Sequence, residues 1–205
     1  MRKGVLLPLS AAFILSVGAI IYLLISQPAI IENGQILEPS RKLEDFQLID
    51  FNEKKVTKDL FKGKWSVLTF GFTSCPDICP TTLAFFKNEM SLINENREFI
   101  QFIFVSIDPE RDTPEKIKSW VQYFDPSIIG LTGTTAELKK FTRMFGAWFQ
   151  TTKVDGSEEY TVNHPPYFYL VNPEGEWKAF YNPPLTYGRV AQDLNRLIPG
   201  EEIKL

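Results

Sequence analysis

The 205-residue chain is 44% apolar and 14% aromatic, which is enough to fill the core of one domain and which excludes a disordered or fibrous protein. Its formal net charge is −3 at pH 7, and this argues against nucleic acid as a partner. The chain has two cysteines and one histidine, so thiol or imidazole chemistry involves very few positions.

The N-terminal region has the pattern of a membrane anchor. Arg2 and Lys3 precede an uncharged stretch whose most apolar part, Val5 to Ile25, would form a helix about 31 Å long. This length favours an uncut anchor over a cleaved signal peptide, and a buried hydrophobic helix is the remaining alternative. The basic pair orients the N-terminus toward the cytoplasm. We therefore expect residues 1–27 to be a single-pass anchor in a bacterial cytoplasmic membrane, with the remaining chain on the periplasmic side.

Residues 28–41 lack periodicity and are predicted to form a tether, which places the domain at residues 42–205. The strand and helix patterns predict a central sheet flanked by helices, with an N-terminal hairpin extension, which is the plan of a thioredoxin-like α/β domain. The predicted elements are a hairpin from Phe46 to Lys55, a helical turn at 58–61, strands at 67–72, 99–107, 128–132, 167–171 and 177–181, and helices at 80–95, 114–124, 135–145 and 187–198.

Both cysteines follow the first buried strand of this plan. Cys75 and Cys79 each precede a proline, which disfavours the α conformation, so we expect the helix to begin at about Pro80. Both thiols would then lie in the loop at the positive end of the helix, where thiolate is favoured over thiol. In an exported domain such a pair forms a structural disulfide, a redox couple or a metal site that is kept reduced.

The single histidine, His164, precedes a later strand, in a loop that a thioredoxin-like plan packs beside the cysteine loop. Two thiolates and one imidazole suit copper(I), and copper(II) is also accessible. Zinc would require a fourth ligand, which Asp77 or water would have to supply. The residue types therefore favour one copper ion per chain.

Three segments together resemble the Sco/SenC family: residues 71–80, which include both cysteines, residues 105–115, and His164 ahead of Tyr169 and Leu170. The resemblance covers roughly residues 43–197. It implies a thioredoxin-like, membrane-anchored protein that helps to assemble the dinuclear copper centre of cytochrome c oxidase. The implied partners are the copper-centre subunit of the oxidase, other copper carriers and a thiol reductant.

The same resemblance implies that Cys75, Cys79 and His164 are the copper ligands. Asp77 and Asn163, which lie beside these positions, are candidates to contact the ligands rather than the metal. Family members often carry aspartate before the histidine and a hydroxyl residue after it, whereas this chain has Asn163 and Pro165. These two departures change the groups that can hydrogen-bond to His164, and so they affect its strength as a copper ligand and the balance between copper(I) and copper(II).

The leading hypothesis is a copper metallochaperone, which needs no turnover chemistry and would not be an enzyme. The alternative is a thiol–disulfide oxidoreductase that uses Cys75 and Cys79 to reduce the copper-ligand cysteines of the oxidase subunit, although their spacing argues against ordinary thioredoxin activity. A peroxidase would need an arginine near its reactive cysteine. We expect the segment 108–115 to form a loop and helix cap, and Pro166, at the position of the thioredoxin cis-proline, to follow a cis bond.

Overall fold

The computed structural model describes residues 16, 31–75, 78–93, 97–154, 156 and 159–198. The contacts of the chain divide it after Ile30, so the folded domain begins at Ile31. The predicted anchor lies outside the described residues apart from Ser16. None of the helices within the described ranges is long and apolar enough to cross a membrane.

The predicted strands and helices follow one another in the predicted order, and strands at residues 35–42, 150–153 and 160–163 are present in addition. The strands are β1 (Gln35–Lys42), β2 (Leu48–Asp50), β3 (Lys55–Val56), β4 (Trp65–Gly71), β5 (Ile100–Ser106), β6 (Ile129–Thr132), β7 (Gln150–Lys153), β8 (Tyr160–Asn163), β9 (Phe168–Val171) and β10 (Glu176–Tyr181). The α-helices are α1 (Ile78–Ser91), α2 (Pro114–Phe124), α3 (Thr135–Met144) and α4 (Arg189–Leu197), and short 3-10 helices span Lys58–Phe61 and Arg97–Phe99.

Eight of these strands form one sheet in the order β1-β10-β9-β4-β5-β6-β2-β3. Strands β4, β5 and β6 are parallel, and β9 runs antiparallel to β4. Strands β7 and β8 pair with each other in a separate antiparallel hairpin, the β7–β8 hairpin. The predicted extension is confirmed as β2 and β3, which are added at one edge of the sheet.

Helices cover both faces of the sheet because the central strands bury side chains on both sides. Along β4, Leu68 packs in the core that contains Phe141 of α3, whereas its neighbour Val67 packs with residues of α1, α2 and α4. Both side chains are fully buried. This explains why the central strands are continuous apolar runs rather than alternating ones.

The predicted tether at residues 28–41 is wrong for its second half, because residues 35–42 form β1. This strand pairs antiparallel with β10, and the Arg41 guanidinium lies 5.3 Å from the ring centre of Trp177. Strand β1 occupies a sheet edge and most of its side chains are exposed. It therefore lacks the apolar alternation by which a strand is predicted.

The start of the domain is held by a buried carboxylate on the last helix. Asp193 of α4 accepts hydrogen bonds from the backbone N–H groups of Glu32 and Asn33, each at 3.0 Å. Asp193 is fully buried, and Ile31 is 4% exposed. The domain boundary therefore moves from the predicted residue 42 to Ile31.

Candidate metal and dithiol centre

The cysteine loop lies at the carboxyl edge of the parallel strands, where β4 and β5 end side by side. Asp112, in the loop after β5, accepts hydrogen bonds from the Thr73 backbone N–H at 2.8 Å and from the Ser106 hydroxyl at 2.6 Å. The Asp112 carboxylate is buried, with the Lys116 ammonium 3.5 Å away. The Asp112 carboxylate therefore links the cysteine loop to the connection between β5 and α2. This agrees with the prediction that residues 108–115 form a loop and a helix cap.

Helix α1 begins at Ile78, two residues before the predicted start, so Cys79 lies in its first turn rather than in the loop. Pro80 also lies in this first turn, where proline is tolerated because the N–H groups of the first turn have no partner within the helix. Cys79 is 2% exposed, whereas Cys75 is half-buried. The two thiols therefore differ in their access to solvent and to a partner.

Cys75 and Cys79 are not joined by a disulfide in this structure. A hydrogen bond to the Cys75 sulfur, followed by burial, raises the pKa of Cys79 far above its ordinary value, while a hydrogen bond from the Phe72 backbone opposes this shift. The expectation of a thiolate is therefore wrong for Cys79. Burial and the neighbouring sulfur outweigh the positive helix end, so Cys79 keeps its proton at neutral pH.

Gly71, at the end of β4, allows the Cys79 sulfur to pack against the strand. A Cβ atom at this position would lie 3.0 Å from Cys79 Sγ and 2.8 Å from Cε2 of Phe104. Both distances are below ordinary van der Waals contact. The packing of Cys79 against β4 therefore requires glycine at position 71. The sequence pattern alone did not indicate this requirement.

His164 follows β8 directly and is half-buried. Its Nδ1 lies 3.1 Å from the carbonyl oxygen of Pro165, and a carbonyl oxygen can only accept, so Nδ1 carries the proton and Nε2 carries a free lone pair. Burial lowers the pKa of His164, and the hydrogen bond to the Pro165 carbonyl oxygen, followed by the proximity of the Cys75 sulfur, partly opposes this shift. The imidazole is therefore neutral, with Nε2 available as a ligand.

The three predicted ligands are not yet assembled around one point. Among the side chains that the structure describes, no group of three or more histidine, cysteine, aspartate or glutamate residues is placed to hold a metal ion. The thiols contact each other, and His164 is close enough to Cys75 for its charge to act on the imidazole. The donor types, two sulfurs and one imidazole nitrogen, fit copper(I).

Of the two predicted flanking residues, Asp77 lies outside the described residues. Asn163 is exposed, and its Nδ2 donates to the Thr152 hydroxyl across the β7–β8 hairpin at 2.9 Å. The cis bond predicted before Pro166 is wrong, because the cis bonds within the described chain precede Pro39 and Pro184. The correspondence of Pro166 to a thioredoxin position does not extend to the geometry of this bond.

A second cluster of polar side chains lies beside the site, and the sequence pattern did not indicate it. Asp108 pairs with Arg111 and accepts a hydrogen bond from the Tyr160 hydroxyl at 2.7 Å. Arg111 Nη1 donates to the Tyr160 carbonyl oxygen at 2.8 Å, and its guanidinium lies 3.8 Å from the Tyr160 ring centre. These partners are 49 residues apart in sequence, so no local signal links them.

An α/β domain that places a reduced dithiol at the start of its first helix, with an imidazole nearby, belongs to the thioredoxin-like class of redox and metal-binding proteins. A family model described as SCO1/SenC matches residues 34–199. The chain belongs to this family.

Two comparisons give the extent of the likeness. The mitochondrial protein SCO2 of Saccharomyces cerevisiae is 37% identical over 163 residues, which cover 77% of this chain and 54% of that protein. The chain thus spans about half the length of this relative. The structure of copper-bound ScoI from Bradyrhizobium japonicum is 34% identical, with a TM-score of 0.69, and the match covers 77% of this chain and 99% of that one.

A third structure, that of BsSco, is 26% identical with a TM-score of 0.60, and covers 77% of this chain and 94% of that one. It identified a disulfide switch in a member of the Sco family of cytochrome c oxidase assembly proteins. The fold likenesses confirm the predicted thioredoxin-like α/β fold.

Proposed function

We propose that this protein binds one copper ion through Cys75, Cys79 and His164 and delivers it to the dinuclear copper centre of cytochrome c oxidase. The observation that carries this proposal is the pair of reduced, hydrogen-bonded thiols near a neutral imidazole whose Nε2 is free. Two sulfur donors and one nitrogen donor form a soft ligand set that copper(I) prefers. The family membership and the copper-bound ScoI relative support the same metal.

Binding requires the buried thiol to lose its proton. Cys79 is protonated at neutral pH, so a copper ion that enters the site displaces this proton. The lowered pKa of His164 means that the imidazole does not have to lose a proton near neutral pH. The affinity for copper(I) is therefore expected to rise with pH through proton release at sulfur rather than at nitrogen.

Release to a partner follows from the position of the ligands. Cys75 is half-buried in a loop, and His164 lies between two strands rather than within one, so both can exchange with ligands from an approaching protein. Cys79 is buried in the first turn of a helix, so it would be the last of the three ligands to dissociate from the copper ion. The proposed recipient is the copper-centre subunit of the oxidase, and other copper carriers would supply the ion.

A second candidate function is reduction of the recipient's copper-ligand cysteines, and the unequal exposure of the two thiols favours it. Cys75 would attack a partner disulfide, forming a mixed disulfide and releasing one partner thiol. Cys79 would then lose its proton and attack Cys75, closing a Cys75–Cys79 disulfide and releasing the second partner thiol. Two electrons and two protons pass to the partner, and an external thiol reductant must restore the pair.

Competition titration with copper(I) under anaerobic conditions tests the chaperone proposal. The wild-type protein should bind one equivalent, and Cys75→Ser, Cys79→Ser and His164→Ala should each weaken binding by at least tenfold, whereas the matched control Ser74→Ala should not. Unchanged affinity in His164→Ala would remove the histidine from the site. Disulfide-reductase activity that survives in His164→Ala, while copper binding is lost, would favour the second candidate function.

We also propose that residues 1–27 anchor the protein in a bacterial cytoplasmic membrane with the domain on the periplasmic side. The support is the apolar run from Val5 to Ile25 behind Arg2 and Lys3. Because the domain begins at Ile31, only residues 28–30 remain as a connection. Fractionation of cells should place the full chain in the membrane and a chain that begins at Pro28 in the soluble fraction; a full chain found in the soluble fraction would contradict the proposal.

A further inference from the structure

The β7–β8 hairpin carries His164 at its end, but its two strands pair with each other and not with the main sheet. The segment between Tyr160 and Tyr167 is attached to the domain at both ends. At the far end, the Thr69 hydroxyl donates to the Tyr167 carbonyl oxygen at 3.1 Å. At the near end, Tyr160 is held by Arg111 and Asp108. These two attachments, together with the buried side chain of Val162, hold the segment that carries His164.

The attachment at Tyr160 is unusually complete. Arg111 donates to its carbonyl oxygen, covers its ring at 3.8 Å, and pairs with the carboxylate that accepts the Tyr160 hydroxyl. One guanidinium and one carboxylate thus fix the backbone, the ring and the hydroxyl of a single residue. Asp108 is 3% exposed, so the pairing is largely shielded from water and salt.

The same guanidinium also contacts the cysteine loop. Arg111 lies 5.5 Å from the ring centre of Phe72, and that ring meets the His164 ring edge-on at 6.4 Å. The Phe72 carbonyl oxygen accepts a hydrogen bond from the Cys75 backbone N–H at 3.3 Å, and the Phe72 backbone also bonds to Cys79. Arg111 therefore contacts one residue of the cysteine loop, Phe72, and one residue of the strand that leads to His164, Tyr160.

We infer that Arg111, together with Asp108 and Tyr160, is a positioning residue that holds His164 within reach of the two thiols. Arg111 does not contact the metal in this account, and it acts through His164. The buried Nη2 of Arg111 has no hydrogen-bond partner among the described residues. The guanidinium therefore contacts Tyr160 and Phe72 in an orientation that leaves one of its donors unsatisfied. The inference rests on the proposed copper site.

A double-mutant cycle on the full chain in detergent tests this inference, with copper(I) competition as the first measurement. Arg111→Met keeps the length of the side chain and removes the guanidinium, and it should weaken copper binding by about 10- to 100-fold, as is typical for residues that orient metal ligands. In the His164→Ala background the same substitution should change the affinity by less than about twofold, because its route of action has been removed.

The control is Lys116→Met, which removes another positive charge beside the cysteine loop. Lys116 donates to the Ser74 hydroxyl at 3.0 Å and to the Arg111 backbone carbonyl oxygen at 3.2 Å, and within the described part of the chain it makes no bond to β8 or to the Arg111 guanidinium. Whatever effect Lys116→Met has should be equal in the wild-type and His164→Ala backgrounds. If Arg111→Met behaves in this additive way, Arg111 acts on the cysteine loop or on the fold, and the inference is overturned.

A spectroscopic readout separates positioning from general destabilisation. In the copper(II)-loaded protein, Arg111→Met should lose the nitrogen coupling in the electron paramagnetic resonance spectrum, as His164→Ala should. Retained coupling with wild-type affinity would overturn the inference. If Arg111→Met does not fold, Tyr160→Phe, which removes only the bond to Asp108, should weaken binding in the wild-type background alone.

The outcomes distinguish this inference from the proposed function. A wild-type protein that binds no copper, or a His164→Ala variant with unchanged affinity, would reject the proposed ligand set and this inference with it. Loss of affinity in His164→Ala, combined with a full effect of Arg111→Met in that background, would reject the positioning role alone.

Discussion

Replacing Asp112 by alanine should destabilise the protein more than any exposed acidic substitution. Asp112 is 1% exposed and accepts three hydrogen bonds, from the Thr73 N–H, the Thr73 hydroxyl and the Ser106 hydroxyl. The two hydroxyls can rotate toward other acceptors, but the Thr73 N–H would remain buried without a partner. A hydrogen bond to a charged group contributes about 1.5–3 kcal/mol, so three such bonds sum to about 4.5–9 kcal/mol. Because the two hydroxyls recover part of this by rotating, we expect the free energy of unfolding to fall by about 3–5 kcal/mol.

Urea denaturation of the purified protein measures this loss as a lower midpoint at an unchanged slope. The control is Asp45→Ala, since Asp45 is exposed and pairs with Lys58 at the surface, where ion pairs contribute little. Copper affinity should also fall in Asp112→Ala, because Thr73 lies two residues before Cys75. A destabilisation below about 1 kcal/mol would refute the reasoning, since a single buried unpaired donor already costs this much.

Three further predictions concern the same site and the start of the domain. Gly71→Ala should destabilise the protein by about 1–3 kcal/mol and weaken copper binding, because the new methyl group meets the Cys79 sulfur, and urea denaturation with copper titration measures both effects. Burial and the bond to Asp108 raise the pKa of Tyr160 to about 12, so this phenol stabilises the fold fully below pH about 10 and progressively less up to pH about 12. Burial raises the pKa of Tyr169 and of Tyr181 further still, so alkaline absorbance titration should show a phenol that ionises near pH 12, before these two, and that is missing from Tyr160→Phe. Asp193→Asn should speed amide exchange at Glu32 and cost about 2 kcal/mol; unchanged exchange there would contradict the proposed role of Asp193.

The sequence predicted the central elements well because their patterns reflect burial. The buried run of β4 and the cap of α2, where Thr113 accepts from the Lys116 N–H, are local signals that the structure confirms. Strand β1 is an exposed edge strand with no apolar alternation, and it forms because β10 offers a free edge. Pairing over such a sequence distance leaves no mark in a local pattern.

The sequence indicated which residue types form the site, but it did not indicate the ionisation state of Cys79. Cysteines at the start of a helix suggest thiolates, yet burial and the neighbouring sulfur raise the pKa of Cys79 instead. Arg111, which attaches the histidine segment, pairs with Asp108 three residues away, and this pair is a local contact. Its contact with Tyr160 depends on how the β7–β8 hairpin folds back onto the domain, and this is a tertiary property.

X-ray absorption spectroscopy of the copper(I)-loaded protein tests the central claim most directly. The claim is that Cys75, Cys79 and His164, which lie near one another in the fold, together bind one copper ion. The account predicts two sulfur neighbours and one nitrogen neighbour, with the outer-shell scattering of an imidazole that disappears in His164→Ala. A copper ion bound by sulfur alone, with no imidazole scattering in the wild-type protein, would contradict it.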